Sequence, residues 1–227
     1  GIRMDHLFIA EATSEQPNVP LDAATRRHVA ALRLRDGEHV RVLNGRGLVA
    51  LCGVKRQGSD VTLTIIESDL RPQPASLTLV MSNLDNRDRF EFALEKATEL
   101  GATRFVPLLA DRCQHQRVSM ERLRAKAIAA VTQCGVAWLP EIGSPVTIDE
   151  VTWGSVVVVG DDRGARPSAS VLTDHVTVIV GPEGDFSDRE KAVLASLEQT
   201  HRWAIGSTRL RAETAAIALV SAVVALR

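Results

Sequence analysis

Apolar and polar positions are patterned differently in the two parts of the chain. Up to about residue 70 the apolar residues fall in short, strand-like runs at 6–10, 39–43, 48–54 and 61–66. Asn44-Gly45 between two of these runs is a strong hairpin signal. Residues 22–34 read as a short helix with Asp22 placed to cap it. Several strands in so short a stretch predict a small barrel. Arg71-Pro72-Gln73-Pro74 is a stiff, polar break. It divides the chain into predicted domains at 1–72 and 73–227.

Beyond the break the pattern alternates. Residues 77–81 form an apolar strand run, and 88–100 carry Phe90, Leu94, Ala97 and Leu100 at helical spacing before Gly101. Strand 104–109, helix 119–134 ending at Gly135, and strand 156–159 follow. The β-branched run 176–180 has the composition of a strand covered on both faces. Gly181, Pro182 and Gly184 end it, and Ser187 with Glu190 makes the S-x-x-E pattern that opens a helix. A second crossing repeats the plan: strand 201–205, a loop at Gly206, and a final helix from about Ala212. Repeated alternation predicts an α/β domain whose mostly parallel sheet is flanked by helices. The helix 212–226 is apolar nearly all round, so it must be covered on more than one side. A second copy of the chain would provide that cover, which predicts a homodimer; burial within one monomer's core is the alternative.

Composition narrows the chemistry. The chain has 227 residues, 45% of them hydrophobic, with no apolar run long enough to span a membrane. No basic segment leads into an apolar stretch, so no signal peptide is expected. Cys52, Cys113 and Cys134 form no CxxC pair, which argues against a disulfide framework and a metal site and suits a reducing cytoplasm. The net charge of −1 argues against bulk, non-specific nucleic-acid binding but leaves room for a local patch. Arginine is heavily preferred over lysine, and Arg26, Arg27, Arg33 and Arg35 lie close together. No G-x-G-x-x-G follows a strand and no G-x-x-x-x-G-K-[ST] is present, which removes the dinucleotide and P-loop readings.

The loop glycines also carry a resemblance. Gly181-Pro-Glu-Gly184, with Ile205-Gly206 and Leu210-Arg211-x-Glu213-Thr-Ala-Ala216 beyond it, resembles the knotted SPOUT methyltransferases. The nearest pattern is that of the ribosomal RNA small subunit methyltransferase E family. Glu95-Lys-Ala-Thr-Glu-Leu-Gly101, Pro107 with Arg112-Cys113, and Gln133-Cys-Gly135 are similar to further segments of that family. In the first part, His28-Val29, Leu32-Arg33-Leu34, Gly37, Val40 and Asn44-Gly-Arg-Gly47 match more loosely.

The resemblance implies a trefoil-knotted SPOUT domain preceded by a PUA-like RNA-binding barrel. It implies methylation of uridine N3 in 16S ribosomal RNA with S-adenosylmethionine as cofactor, in a homodimer. Other SPOUT chemistry, such as ribose 2′-O-methylation, or a non-catalytic RNA-binding module, are the competing readings. By the same resemblance the cofactor lies against Val159, Gly160, Gly181, Pro182, Glu183, Gly184, Ile205, Gly206, Leu210 and Arg211. Arg211 is the residue expected to orient the base or its phosphate, and Glu213 is either structural or a weak base. Glu183 is open to capping a helix or pairing with an arginine. The family's lysine after the first strand of this domain is absent, which leaves Arg87 or Arg89 to replace it. The RNA-contacting set expected is therefore Arg26, Arg27, Arg33, Arg87 and Arg89.

Overall fold

The computed structural model describes residues 5–114 and 117–227; the first four residues of the predicted 1–72 domain lie outside them. The described residues divide into two compact units. One runs to Gln73 and takes in Val131–Leu139; the other comprises Pro74–Ala130 and Pro140–Arg227.

The first unit is a four-stranded sheet with one helix. Strand β1 (His6–Phe8) pairs in parallel with β2 (His39–Leu43), and β3 (Leu48–Gln57) and β4 (Asp60–Leu70) extend the sheet antiparallel in the order β1-β2-β3-β4. Helix α1 (Ala23–Ala31) starts where Asp22 Oδ1 accepts from Thr25 N at 2.7 Å. The β2–β3 connection is longer than the two-residue turn that Asn-Gly suggests. It uses Asn44 to Gly47, with Asn44 Oδ1 accepting from Arg46 N and Leu48 N. Gly45 and Gly47 both have positive φ, and a Cβ on Gly47 would fall 2.7 Å from Arg71 O and against Trp138. The glycines thus let Val131–Leu139 close on the hairpin, sealed by Leu139 N donating to Gly45 O.

The second unit is an all-parallel, six-stranded sheet. Its strands are β5 (Ser76–Ser82), β6 (Arg104–Leu108), β7 (Glu141–Ile142), β8 (Val156–Ala165), β9 (His175–Val180) and β10 (Thr200–Trp203), in the order β10-β8-β9-β5-β6-β7. Helices α2 (Arg87–Leu100), α3 (Met120–Cys134), α4 (Asp188–Ser196) and α5 (Ala212–Leu226) are interleaved with them. This is the α/β architecture that the alternation implied. Two apolar cores form. One contains Leu77, Leu79, Met81, Phe90 and Phe105 with Leu219, Val220 and Val223 of α5, and the other contains Val80, Val157, Ile179, Phe186 and Leu194. Gly101 ends α2 with φ 101°, the left-handed cap that a glycine serves best.

Two strand ends differ from the sequence expectation. β8 continues through Gly160–Gly164, where a loop is expected, because Trp203 pairs with Ala165 after a bulge that skips the intervening residues. A Cβ on Gly164 would lie 2.5 Å from Arg202 O, so only glycine permits this pairing. β10 stops at Trp203, which leaves Ile205 in the following loop rather than in the strand.

Candidate active site

Parallel strands deliver their carboxyl ends to one edge, and ligands of α/β sheets bind there. In this sheet the ends of β8, β9 and β10 are adjacent. A cavity of about 1210 Å³ opens at that edge. Ligand pockets are usually roughly 300–1,000 Å³, so it holds a molecule of cofactor size with room for a second group. Its wall includes Val159, Gly160, Gly181, Pro182, Glu183, Gly184, Ile205, Gly206, Leu210 and Arg211. All ten residues expected at the cofactor site therefore meet around one space.

The wall's chemistry is mixed. Ile205 is 40% exposed, and it stands on the cavity with buried Val159 and half-buried Leu210. Glycines fall into two kinds. A Cβ on Gly160 would meet Leu219 at 3.2 Å and one on Gly181 would meet Phe186 at 3.0 Å, so a larger residue at either would crowd a packed side chain. Gly206 has nothing within 4 Å and Gly184 meets only Arg112 at 3.9 Å, both without positive φ. The fold does not require glycine at these two positions; a ligand lying on the bare backbone would.

The loop after β9 is fixed from several sides. Ser187 and Glu190 form the reciprocal capping box that the sequence pattern announced. Glu190 is fully buried, and its other oxygen accepts from Asp111 N at 2.9 Å, which ties the loop after β6 to the start of α4. Arg112, next in sequence, donates to Gly184 O at 2.9 Å, and Arg209 donates to Glu183 O at 3.1 Å. The left-handed residue of this loop is Asp185, φ 66°, not a glycine. Its carboxylate accepts from Phe186 N and pairs with Lys191 Nζ at 2.7 Å, local bonds that offset the cost of the conformation.

Arg89 sits differently from the RNA-facing position expected of it. From the first turn of α2 its fork donates to both oxygens of Glu213 at 2.8 and 2.7 Å, and its remaining nitrogen pairs with Glu183. Only 22% of the side chain is exposed. Its donors are spent on protein carboxylates, so the phosphate role passes away from it. Glu213 is held by the same contact. The Arg89 fork holds its carboxyl below the usual carboxylate range, so it is a fully engaged anion and a poor base. Glu183 takes the arginine-pairing option. Arg211 is the N-cap of α5, exposed and on the cavity. Arg87 is largely exposed and, among the described residues, has only a long ion pair of 3.9 Å to Glu91. Arg26, Arg27 and Arg33 are exposed in the first unit, at and just beyond α1, where Arg26 Nε donates to Leu21 O.

A family model described as an RNA methyltransferase domain matches residues 71–224. The chain belongs to that family. A curated relative of this kind is the ribosomal RNA small subunit methyltransferase E of Rickettsia conorii, 28% identical, with the match covering 98% of this chain and 96% of the relative. Among solved structures, a Legionella pneumophila protein in complex with bound SAM superposes with a TM-score of 0.83 at 25% identity, over 99% of this chain and 98% of that one. The Neisseria gonorrhoeae ribosomal RNA small subunit methyltransferase E shares the fold at a TM-score of 0.84 and 23% identity, over 97% and 96% of the two chains.

Asp161, Phe186, Arg202 and Arg209 are among the cavity residues that sequence reading missed. Asp161 was hidden in a stretch expected to be a loop. It accepts from Arg163 N at 2.9 Å and from Arg202 at 3.0 Å, in that order the causes of its lowered carboxyl pKa. A family match to Arg112 was noted, but its hold on Gly184 O had no local signal, the two being 72 residues apart. Among the described residues no group of three or more His, Cys, Asp or Glu side chains is placed to hold a metal ion. Nor does any described helix have the length and apolarity to cross a membrane.

Proposed function

We propose that this chain transfers a methyl group from S-adenosylmethionine to N3 of a uridine in 16S ribosomal RNA. The wall of the cavity carries the reading: Ile205 is exposed on it, and Gly184 and Gly206 leave it open where the fold itself does not ask for glycine. The names of the relatives support the RNA substrate, and the SAM-bound Legionella structure supports the cofactor.

The residues present fit that cofactor. Val159, Ile205 and Leu210 supply apolar contact for the adenine, and the backbone at 181–184 and 205–206 offers donors and acceptors to its edge and to the ribose. The bound cofactor supplies an electrophilic methyl on a sulfonium. What remains for the protein is alignment of the base and stabilisation of its charge. Uridine N3 is a weakly acidic imide that gives up its proton to solvent and attacks as the anion. Arg211, exposed beside the cavity, stabilises that anion electrostatically. Glu213 acts through position: with Arg89 it fixes the first turn of α5, which presents Arg211.

In this reading the 73–227 domain is threaded as a SPOUT trefoil knot, and 1–72 is a PUA-like RNA-binding domain working in the cytoplasm. Arg26, Arg27, Arg33 and Arg87 contact RNA. Two copies associate through α5 and α2, on which Val224 and Phe92 stay exposed. Light scattering should give about twice 24.6 kDa across a micromolar dilution series; an active species of 24.6 kDa would exclude the dimer as the working unit.

Deleting the gene and mapping methylated uridines in 16S ribosomal RNA tests the function. Loss of one N3-methyluridine is the expected result, whereas loss of a ribose methyl would reassign the reaction. The rate should also rise steadily with pH through the neutral and alkaline range. No protein base is invoked, and Glu213 is already ionised there because its pKa is depressed below 4.5. A plateau above about pH 6.5 would instead point to a histidine base.

A further inference from the structure

Arginines at and beside the cavity are held in different ways. Arg89 and Arg202 are neutralised by carboxylates, those of Glu213 and Glu183 and of Asp161. Arg112 and Arg209 are not: among the described residues each is fixed by a backbone carbonyl, Gly184 O and Glu183 O respectively, and neither has a carboxylate ion pair. Asp185 feels the charge of Arg112, but its carboxylate is bonded to Lys191 and Phe186 N. A neutral acceptor orients a guanidinium while leaving its charge and most of its N–H donors unspent. Both side chains are exposed and both lie on the cavity wall, one reaching the loop from the β6 side and the other from the β10–α5 side.

From this we infer that Arg112 and Arg209 form a clamp for phosphodiester groups, binding RNA backbone on either side of the Gly181–Gly184 loop. The inference rests on the RNA-methylation reading above. The chemistry suits it. A planar guanidinium held by one N–H can offer two others to a phosphate in parallel, and holding it beforehand reduces the side-chain entropy lost on binding. The position suits it too. A nucleotide whose base enters the cavity must leave its phosphates at the rim, and these two rim guanidiniums are already oriented there by backbone carbonyls of the loop. The whole chain carries a net charge of −1, so RNA affinity has to come from such local, uncompensated cations rather than from a general field. An anion of another source, the carboxylate of the cofactor itself, shares this chemistry and is separated by the experiment.

The test uses the full chain with a fragment of 16S ribosomal RNA and, separately, with S-adenosylmethionine. Wild type, Arg112→Gln, Arg209→Gln, the double variant and the two lysine variants are titrated over a series of salt concentrations. Each glutamine should weaken RNA binding about tenfold and flatten the logarithmic salt dependence by about 0.7 per lost single-strand phosphate contact. Lysine should restore the slope, because it keeps the charge, and only part of the affinity, because it lacks the fork. Cofactor affinity should change much less than RNA affinity.

An unchanged RNA slope in the double variant overturns the clamp. If cofactor affinity collapses in the same variant with the RNA slope intact, the arginines serve the cofactor's carboxylate or the loop alone, and the inference is equally lost. Wild-type protein that neither binds the RNA fragment nor methylates ribosomal RNA would sink the RNA reading itself, and the clamp with it. Wild-type methylation with an unaltered slope in the variants would sink only the clamp.

Discussion

Arg89→Met is expected to lower stability and to cost at least an order of magnitude in cofactor affinity. One guanidinium joins the start of α2, the loop after β9 and the first turn of α5. Removing it strands Glu213, only 12% exposed, and leaves Glu213 and Glu183 as neighbouring anions with no cation between them. Charge-assisted hydrogen bonds of this kind are worth about 1.5–3 kcal/mol when buried, and partial exposure brings the expected loss to about 1–3 kcal/mol. Arg89→Lys should recover little, because an ammonium cannot span both oxygens of Glu213 and also reach Glu183. The pH dependence supplies a second check. A carboxyl whose folded pKa is depressed contributes its stability above its unfolded value, about 4.5, and loses it as pH falls through the lower folded value. The gap between wild type and Arg89→Met should therefore be full at pH 7 and close in acid. Thermal denaturation at several pH values, with calorimetric titration of S-adenosylmethionine, measures both effects. Equal melting temperatures at pH 7 and unchanged affinity would show that the three segments are held without Arg89.

What the sequence disclosed was mostly local. Asp22, Ser187 with Glu190, and Gly101 each signal a helix end through a side chain or a φ angle within a few residues, and each occupies that place. The glycine loops were legible because strand-loop-helix crossings of a parallel sheet must place them at one edge. The pairings that give the site its electrostatics were not. Arg89 and Glu213 are 124 residues apart, Asp111 and Glu190 are 79, and no periodicity connects them. Arg89 was therefore read as a stand-in for the family's lysine, an RNA contact, and Glu213 by its position in a motif. The end of β10 was misplaced for a related reason. Ile205 continues the apolar composition of the strand, but its environment is a cavity wall, and composition cannot tell a buried core from a ligand surface.

The glycines make the sharpest test of where the cofactor lies. The left-handed residue of the loop after β9 is Asp185, not Gly184. A valine at 184 thus meets no backbone strain and finds only the stem of Arg112, at ordinary contact distance. A valine at 206 has nothing within 4 Å of its Cβ. Both variants should fold with melting temperatures near that of wild type. Both should lose S-adenosylmethionine binding by two orders of magnitude or more, because the added methyls occupy the surface on which the cofactor's atoms would rest. About 2.7 kcal/mol of lost contact suffices for a hundredfold change. Gly181→Val is the contrast: its Cβ would press on Phe186 at 3.0 Å, so it should lose stability together with binding. If Gly184→Val and Gly206→Val both fold and bind cofactor as wild type does, the cofactor does not lie on these two loops, and the site must be sought elsewhere on the sheet edge.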